Sequence, residues 1–175
     1  LVCGEDLGMI PASVPEVMNK LQILSLEIER MPKRPQREFS DMFNLPYHSV
    51  CTTSTHDMTP LRNWWKEDPE KTQRYYNHVL QRIGEAPDEC TAEIVAQIIS
   101  NHLKTRSMLT IIPLQDWFAM DDSIKRKDIE SERINVPANS THYWRYRMHI
   151  TLEQLLQADN LNNKIVSLIK EAGRK

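Results

Sequence analysis

Apolar residues along the chain fall into short continuous runs, separated by longer stretches with helical spacing. Short runs of apolar or β-branched residues favour strands, whereas apolar residues three or four positions apart favour a helix. The segments with strand character are residues 1–4, 22–28, 49–53 and 108–112. The segments with helical character are residues 15–21, a region that starts at Asp57, and residues 68–83, 91–103, 151–158 and 161–172. In the second of these helices, Asp57 or Thr59 can act as the N-cap and Pro60 suits the first turn.

This alternation predicts an α/β fold in which crossover helices cover a parallel sheet. Four strands are half of an eight-stranded (β/α)8 barrel, which builds its active site at the carboxyl ends of the strands. A length of 175 residues, of which 40% are hydrophobic, is enough for one domain with a core of its own. Proline-rich or polar stretches at residues 31–39 and about 121–142 predict loops. We therefore treat residues 1–175 as one unit.

Composition and charge exclude several classes of function. The formal net charge is -2, and the longest basic cluster, Lys125 to Lys127, lies between Asp122 and Asp128. The sequence thus predicts neither a nucleic-acid partner nor binding to an anionic membrane surface. No apolar run approaches the ~20 residues that a membrane span needs. The 4 glycines form no phosphate-binding loop and the 6 histidines show no metal-ligand spacing, so we expect no cofactor and no metal.

The three cysteines, Cys3, Cys51 and Cys90, are far apart and show no CxxC spacing. Cys3 and Cys51 fall in strands that we expect to be buried, where cysteine behaves as a small hydrophobic residue. Unpaired thiols fit a reducing compartment, and we therefore expect a cytoplasmic protein.

Acidic or amide side chains follow three of the four predicted strands. Glu5 comes directly after the first strand, His56 and Asp57 follow the third, and Gln115 and Asp116 follow the fourth. Carboxylates at strand ends form the active sites of barrels, and two carboxylates that face one sugar cleave glycosidic bonds. The acidic residues could equally cap the helices that follow them. The spacing alone leaves both interpretations open.

Two aromatic clusters also have two interpretations. Tyr143 to Arg147 combine aromatic and basic side chains, and Trp64 and Trp65 form a pair. Aromatic faces can stack on sugar rings, but they also pack helices onto a barrel. The sequence favours core packing for both clusters.

Four motifs occur in the order in which one enzyme family carries them. They are Cys3-Gly4-Glu5-Asp6-Leu7-Gly8, Ser54-Thr55-His56-Asp57, Ile112-Pro113-Leu114-Gln115-Asp116 and Arg133-Ile134-Asn135-Val136-Pro137. Through them, the sequence resembles the 4-α-glucanotransferases of the amylomaltase type over nearly all of its length. The segments Leu61–Asp68 and His142–Arg147 look particularly like those of the large disproportionating enzymes.

The resemblance implies a (β/α)8 TIM barrel with inserted subdomains, of which this chain is the C-terminal half, about strands 5 to 8 with their helices. It implies that Glu5 is the general acid/base and that Asp57 stabilises the transition state. The substrate-binding residues that it implies are His56, Asp6, Gln115, Asp116, Arg133 and Asn135. The reaction would be a retaining transfer of glucosyl or maltosyl units between α-1,4-glucans such as maltose, malto-oligosaccharides and glycogen-like acceptors.

The family nucleophile is an aspartate in an Arg-x-Asp-His sequence, which these 175 residues do not contain. We therefore expect the chain to be inactive alone and to need the N-terminal half of the barrel as its partner. Typical amylomaltases read Asn-Trp-x-Trp-Arg where this chain reads Tyr143-Trp144-Arg145-Tyr146-Arg147, which leaves the acceptor preference open. The alternatives are an α-glucan hydrolase of the amylase type and a non-catalytic glucan-binding fragment that self-associates through exposed sheet edges.

Overall fold

Three parallel strands form the sheet in the computed structural model, which describes residues 1–174. Strand β1 (Ser25–Ile28) pairs with β2 (Ser49–Thr52), and β2 pairs with β3 (Leu109–Thr110), so the strands lie side by side in chain order. This arrangement confirms the α/β class with a parallel sheet. The register places Ser25 opposite Ser49 and Val50 opposite Leu109.

The first predicted strand differs from the expectation that it is buried. Cys3 forms a single parallel bridge to Leu24, and the Gly4 N–H donates to the Leu24 carbonyl at 2.8 Å. However, Leu1 and Val2 are 91% and 64% exposed, and Cys3 is exposed as well. The segment lies at the edge of the sheet, where no other part of residues 1–174 pairs with its outer side. The prediction of a buried strand is therefore wrong, although its parallel pairing is present.

Seven helices accompany the sheet within the described residues. They are α1 (Val14–Lys20), α2 (Leu61–Glu67), α3 (Pro69–Arg74), α4 (Ala92–Leu103), α5 (Leu114–Phe118), α6 (Leu152–Leu156) and α7 (Asp159–Glu171). Single turns of other helix types occur at Met42–Asn44, Tyr75–Val79 and Glu130–Glu132. Residues 31–39 form a loop as predicted, and the connection from β1 to β2 contains only a 3-10 turn.

Local side-chain caps begin three of the seven helices. The Asp68 side chain accepts a hydrogen bond from the Lys71 N–H, the Thr91 side chain accepts one from Ile94, and Thr151 forms a capping box with Gln154. The helix that begins after Asp68 ends earlier than the predicted Ile83. It changes into the π turn at Tyr75–Val79, and Gln81 then adopts a left-handed backbone with φ of 55°.

The main core lies among helices α2, α4, α5 and α7 and includes Ile112, which follows β3. In α4, Ile94, Val95, Ile98 and Ile99 are at most 1% exposed, as the helical spacing predicts. Trp64 and Trp65 also belong to this core, where Trp64 packs edge-to-face on Tyr75 with ring centroids 5.0 Å apart. The Trp64-Trp65 pair is therefore a packing element.

Candidate active site

Asp57 lies in the turn between β2 and α2, with a polar partner on each side. Its Oδ1 accepts a 2.6 Å hydrogen bond from Asn135 Nδ2, and its Oδ2 lies 3.5 Å from His56 Nε2. The side chains of His56 and Asp57 are 48% and 46% exposed. Neither Asp57 nor Thr59 caps α2, because no side chain of the preceding turn bonds its first N–H groups. The carboxylate is thus free to face solvent and a ligand.

A cavity of about 390 Å³ opens next to His56. Its walls come from the turn after β2, from the segment between β3 and α5, and from the long loop. The lining residues are Thr52, Ser54, Thr55, His56, Met58, Pro60, Ile111, Pro113, Leu114, Gln115, Ile134 and Tyr146. Its position at the carboxyl ends of β2 and β3 is where parallel α/β sheets bind their ligands.

Aromatic side chains flank the cavity. The Trp144 ring lies 5.1 Å from the His56 ring, between centroids, and Trp144 is 60% exposed. Tyr143 is also exposed and carries Arg145 over its ring at 4.6 Å. Tyr146 lines the cavity itself, and partial burial raises the pKa of its hydroxyl. These rings are not core residues, so the core-packing interpretation fails for this cluster.

Asp116 lies behind the cavity and does not line it. The side chain is 1% exposed; Oδ2 accepts from Thr53 Oγ1 at 2.5 Å and Oδ1 accepts from the Leu61 N–H at 2.9 Å. Asp116 therefore caps α2 from another part of the chain. Burial raises the pKa of its carboxyl, against the effect of its hydrogen bonds and of Arg30. Both oxygens of Asp116 are thus engaged within the protein, and its side chain has almost no exposed surface.

Arg30 is a further organising residue, and it was not identified from the sequence. Its guanidinium donates to the carbonyls of Thr53 and Thr59 at 2.9 to 3.1 Å and lies 5.0 Å from the centroid of the Trp64 ring. Burial lowers its pKa. Arg30 thereby fixes both ends of the turn that carries His56 and Asp57. The only signal in the sequence was its place at the end of an apolar strand.

The remaining expected residues, Gln115 in α5 and Arg133 and Asn135 on the long loop, differ in their surroundings. Gln115 is 4% exposed, lines the cavity and donates from Nε2 to the Glu132 carbonyl at 3.0 Å. Arg133 follows Glu132 directly, is half-buried and precedes the cavity residue Ile134. Asn135 reaches Asp57 directly. The predicted loop at 121–142 is thus a wall of the site, with one 3-10 turn inside it.

Glu5 and Asp6 follow the bridge at Cys3 and have opposite environments. Glu5 is exposed. Asp6 is buried; its Oδ1 accepts from the Leu26 N–H at 2.8 Å and its Oδ2 accepts from Lys33 Nζ at 2.7 Å. Lys33 also binds Glu27 at 2.8 Å. Asp6 therefore ties the segment that carries Glu5 to β1, and its carboxylate is directed into the protein instead of outward.

Glu5 and Asp57 lie at the same edge of the sheet but not in the same cavity. Both come after the carboxyl ends of parallel strand segments, and β1 separates them. Two strand spacings amount to about 10 Å, which is the separation expected between the backbone segments that carry the two residues. Residues 1–174 contain no group of three His, Cys, Asp or Glu side chains that could hold a metal ion. In the same residues, no helix has the length and apolar character needed to span a membrane.

Fold and site together define an α/β domain with an aromatic-flanked cavity, next to His56 and Asp57, at the carboxyl edge of its parallel sheet. The model of the family "Glyco_hydro_77: 4-alpha-glucanotransferase" matches residues 1–153. The chain therefore belongs to the 4-alpha-glucanotransferase family.

Relatives agree with this assignment. The chain is 41% identical over 174 residues to the 4-alpha-glucanotransferase DPE2 of Oryza sativa subsp. japonica, covering 99% of this chain and 18% of that protein. It is 29% identical to the 4-alpha-glucanotransferase of Chlamydia caviae, covering 98% of this chain and 32% of the relative. The chain thus spans less than a third of the length of these curated relatives.

Solved structures share the fold. An amylomaltase from Streptococcus agalactiae in complex with acarbose matches with a TM-score of 0.74 and 18% identity, over 98% of this chain and 32% of that one. An amylomaltase from Corynebacterium glutamicum matches with a TM-score of 0.71 and 16% identity, over 97% of this chain and 28% of that one.

Proposed function

We propose that this chain is part of an enzyme that transfers glucosyl or maltosyl units between α-1,4-glucans with retention of configuration. The observation that carries the proposal is the Asp57 carboxylate, which Asn135 holds beside His56, a residue that lines the cavity. A half-exposed carboxylate that is held in direction can stabilise positive charge on a sugar ring. Membership of the 4-alpha-glucanotransferase family supports this reading.

The proposed mechanism is a double displacement. Glu5 acts as a general acid that protonates the leaving glycosidic oxygen, and then as a general base that activates an acceptor hydroxyl. Asp57 stabilises the oxocarbenium-like transition state, and His56 binds a sugar hydroxyl. The nucleophile is an aspartate outside these 175 residues, about 5–5.5 Å from Glu5 as retention requires. We therefore propose that the 175-residue chain alone is inactive.

The aromatic flank extends the proposal to substrate binding. Trp144 is exposed beside His56, and a sugar ring could stack on its face. The acarbose complex of the streptococcal relative supports an oligosaccharide as the ligand class. Gln115 and Arg133 are proposed to complete the wall of this subsite. Asp6 and Asp116, by contrast, are proposed to act only by placing Glu5 and α2.

The sheet is proposed to be one segment of a (β/α)8 barrel that the N-terminal half completes. Its strands are parallel and follow one another in chain order, which is the arrangement of a barrel wall. Leu109 and Ile111 are 37% and 58% exposed, so the open side of β3 offers apolar surface for further packing. If the half barrel instead self-associates, light scattering of the isolated chain will give a dimer mass, and a stable monomer counts against that alternative.

Isotope labelling separates a transferase from a hydrolase. The protein expressed from the complete reading frame is incubated with maltotriose in H₂¹⁸O, and the products are analysed by mass spectrometry. A transferase forms longer oligosaccharides without incorporating ¹⁸O, because a sugar hydroxyl resolves the intermediate. An amylase-type hydrolase places ¹⁸O at each new reducing end and forms no longer chains. The second pattern would reject the proposed function, and the same assay on the 175-residue chain tests its inactivity.

A further inference from the structure

Helix α2 and the long loop are joined by a buried ion pair that the site described above does not include. Arg62 Nη1 donates to Glu132 Oε1 at 2.6 Å, and the side chains are 9% and 3% exposed. The same Nη1 donates to the Arg126 carbonyl at 2.7 Å. The guanidinium therefore reaches two points of the loop at once.

The next residue of the helix makes a second connection. Asn63 Nδ2 donates to Glu130 Oε1 at 3.0 Å. Glu130 and Glu132 are the two ends of the 3-10 turn Glu130–Glu132. Two consecutive residues of α2 thus bind both ends of one turn, which fixes the orientation of the turn as well as its position.

The Arg62–Glu132 ion pair is not expected to contribute much to the stability of the fold. Glu132 Oε2 is buried without a hydrogen-bond partner in the described residues, and so is Asn63 Oδ1. A buried ion pair that leaves such an oxygen unsatisfied recovers little of its desolvation cost, and an apolar pair of similar volume would often be as stable. The main consequence of the Arg62–Glu132 pair is therefore that it holds the turn Glu130–Glu132 against α2.

That geometric effect reaches the candidate catalytic carboxylate. The contacts of Arg62 and Asn63 with the 3-10 turn are here called the clamp. Asn135 follows that turn by only three residues, so the clamp constrains its position through one short segment. A third anchor, from Gln115 Nε2 to the Glu132 carbonyl at 3.0 Å, holds the same point from α5. Asn135 then donates to Asp57 at 2.6 Å, and its own Oδ1 accepts from the Val136 N–H at 2.8 Å. The direction of the amide is thereby fixed at both ends.

We propose that Arg62 and Glu132 are positioning residues, which hold the loop so that Asn135 can orient Asp57 for glycosyl transfer. They act through Asn135 and touch no substrate. This inference rests on the proposed function for its catalytic consequence, whereas its structural part does not depend on the reaction.

The structural part is tested by hydrogen–deuterium exchange on the protein from the complete reading frame. Arg62→Met is compared with Arg74→Met, a matched control in which the same substitution breaks the exposed Arg74–Glu38 pair on α3. We expect amides of residues 130–142 to exchange at least about fivefold faster in Arg62→Met and at the wild-type rate in Arg74→Met. Equal exchange in wild type and Arg62→Met would overturn the clamp, whether or not the protein is a transferase.

The catalytic part is tested by a double-mutant cycle with Asn135→Ala. We expect Arg62→Met to lower kcat about tenfold with KM changed less than about twofold, because the carboxylate is misplaced while the subsites remain. In the Asn135→Ala background, Arg62→Met should lower kcat by less than about twofold further. An equal loss of kcat in the wild-type and Asn135→Ala backgrounds, or no loss of kcat in either, would overturn the proposal.

Glu132→Gln is the second variant if Arg62→Met does not fold. The amide keeps the size of the side chain and an acceptor oxygen for Arg62, but removes the charge. The same cycle with Asn135→Ala and the same two outcomes then decide the proposal. A wild-type protein without any transfer activity rejects the proposed function, and the exchange experiment still decides the clamp.

Discussion

Asn135 donates a 2.6 Å hydrogen bond from Nδ2 to Asp57 Oδ1, although the two residues are 78 positions apart in the chain. The bond joins the long loop to the turn after β2. It leaves Asp57 Oδ2 directed towards His56, at 3.5 Å. One oxygen of the carboxylate is therefore held by the protein while the side chain stays half-exposed.

Removing the Asn135 amide should impair catalysis more than binding. We expect Asn135→Ala to lower kcat about 10- to 100-fold, because the carboxylate loses the donor that fixes its direction. Asn139→Ala is the matched control: Asn139 lies in the same loop, but its side chain bonds only Thr141. The measurement is steady-state transfer between malto-oligosaccharides by the protein from the complete reading frame. Equal effects of the two variants would contradict the assigned role.

Glu5→Gln should remove proton transfer and spare the rest of the mechanism. We expect kcat with malto-oligosaccharide donors to fall about 10²–10⁴-fold, since the leaving oxygen needs a proton. With maltosyl fluoride as donor, glycosylation of the enzyme should fall much less, because fluoride leaves without protonation. Glu16→Gln on α1 is the control. Equal losses of the glycosylation rate with both donors would rule out Glu5 as the acid.

Asp116→Ala should destabilise the domain, because Asp116 is buried and accepts two hydrogen bonds. The variant leaves the Leu61 N–H and the Thr53 hydroxyl buried without their acceptor, at a cost of about 2–4 kcal/mol. Asp122→Ala removes only a surface pair with Lys125, in which the aspartate is 73% exposed, and should have almost no effect. Urea unfolding, followed by the fluorescence of the buried tryptophans, measures both. A negligible change for Asp116→Ala would refute its capping role.

Glu132 should give the stability a pH dependence. Burial, together with Asp116, raises the pKa of its carboxyl against the opposing effects of Arg62 and Arg126, and the resulting pKa is about 7. The folded state then binds the proton more tightly than the unfolded chain, whose pKa is near 4.5. Protonated Glu132 therefore adds to the free energy of unfolding below about pH 4.5, and this contribution is lost as the pH rises to about 7.

Glu132→Gln provides the comparison, because the amide does not titrate. We expect the unfolding free energy of the wild type to fall by roughly 2 kcal/mol relative to that of Glu132→Gln as the pH rises from 4.5 to 7. Urea unfolding at a series of pH values measures this difference. A difference that is constant with pH would show that the carboxyl does not titrate in this range.

Features set by neighbouring residues could be predicted from the sequence. The caps at Asp68 and Thr91 bond N–H groups three residues away, so the local pattern contains both partners. The parallel order of β1, β2 and β3 also follows from the alternation of elements. The strand at Leu109–Thr110 is shorter than the predicted 108–112, because a five-residue apolar run does not fix where pairing ends. The helix that starts directly after Pro113 was not predicted.

Features that depend on distant partners could not be predicted. Asp57 and Thr59 looked like local caps for α2, but the cap is Asp116, 55 residues away from Leu61. Arg30 stands among charged residues in the sequence, and only the fold brings two backbone carbonyls to it. The resemblance suggested that Asp116 lies at the cleft; it could not show that the side chain points away from the cavity.

The chain-length distribution of products from maltotriose tests whether the Asp57 carboxylate supports glycosyl transfer. The protein from the complete reading frame is compared with its Asp57→Asn variant, which keeps the size of the side chain and removes its charge. We expect the wild type to form maltotetraose and longer chains, and Asp57→Asn to form them at least about 10²-fold more slowly. Transfer at the wild-type rate by Asp57→Asn would contradict the account.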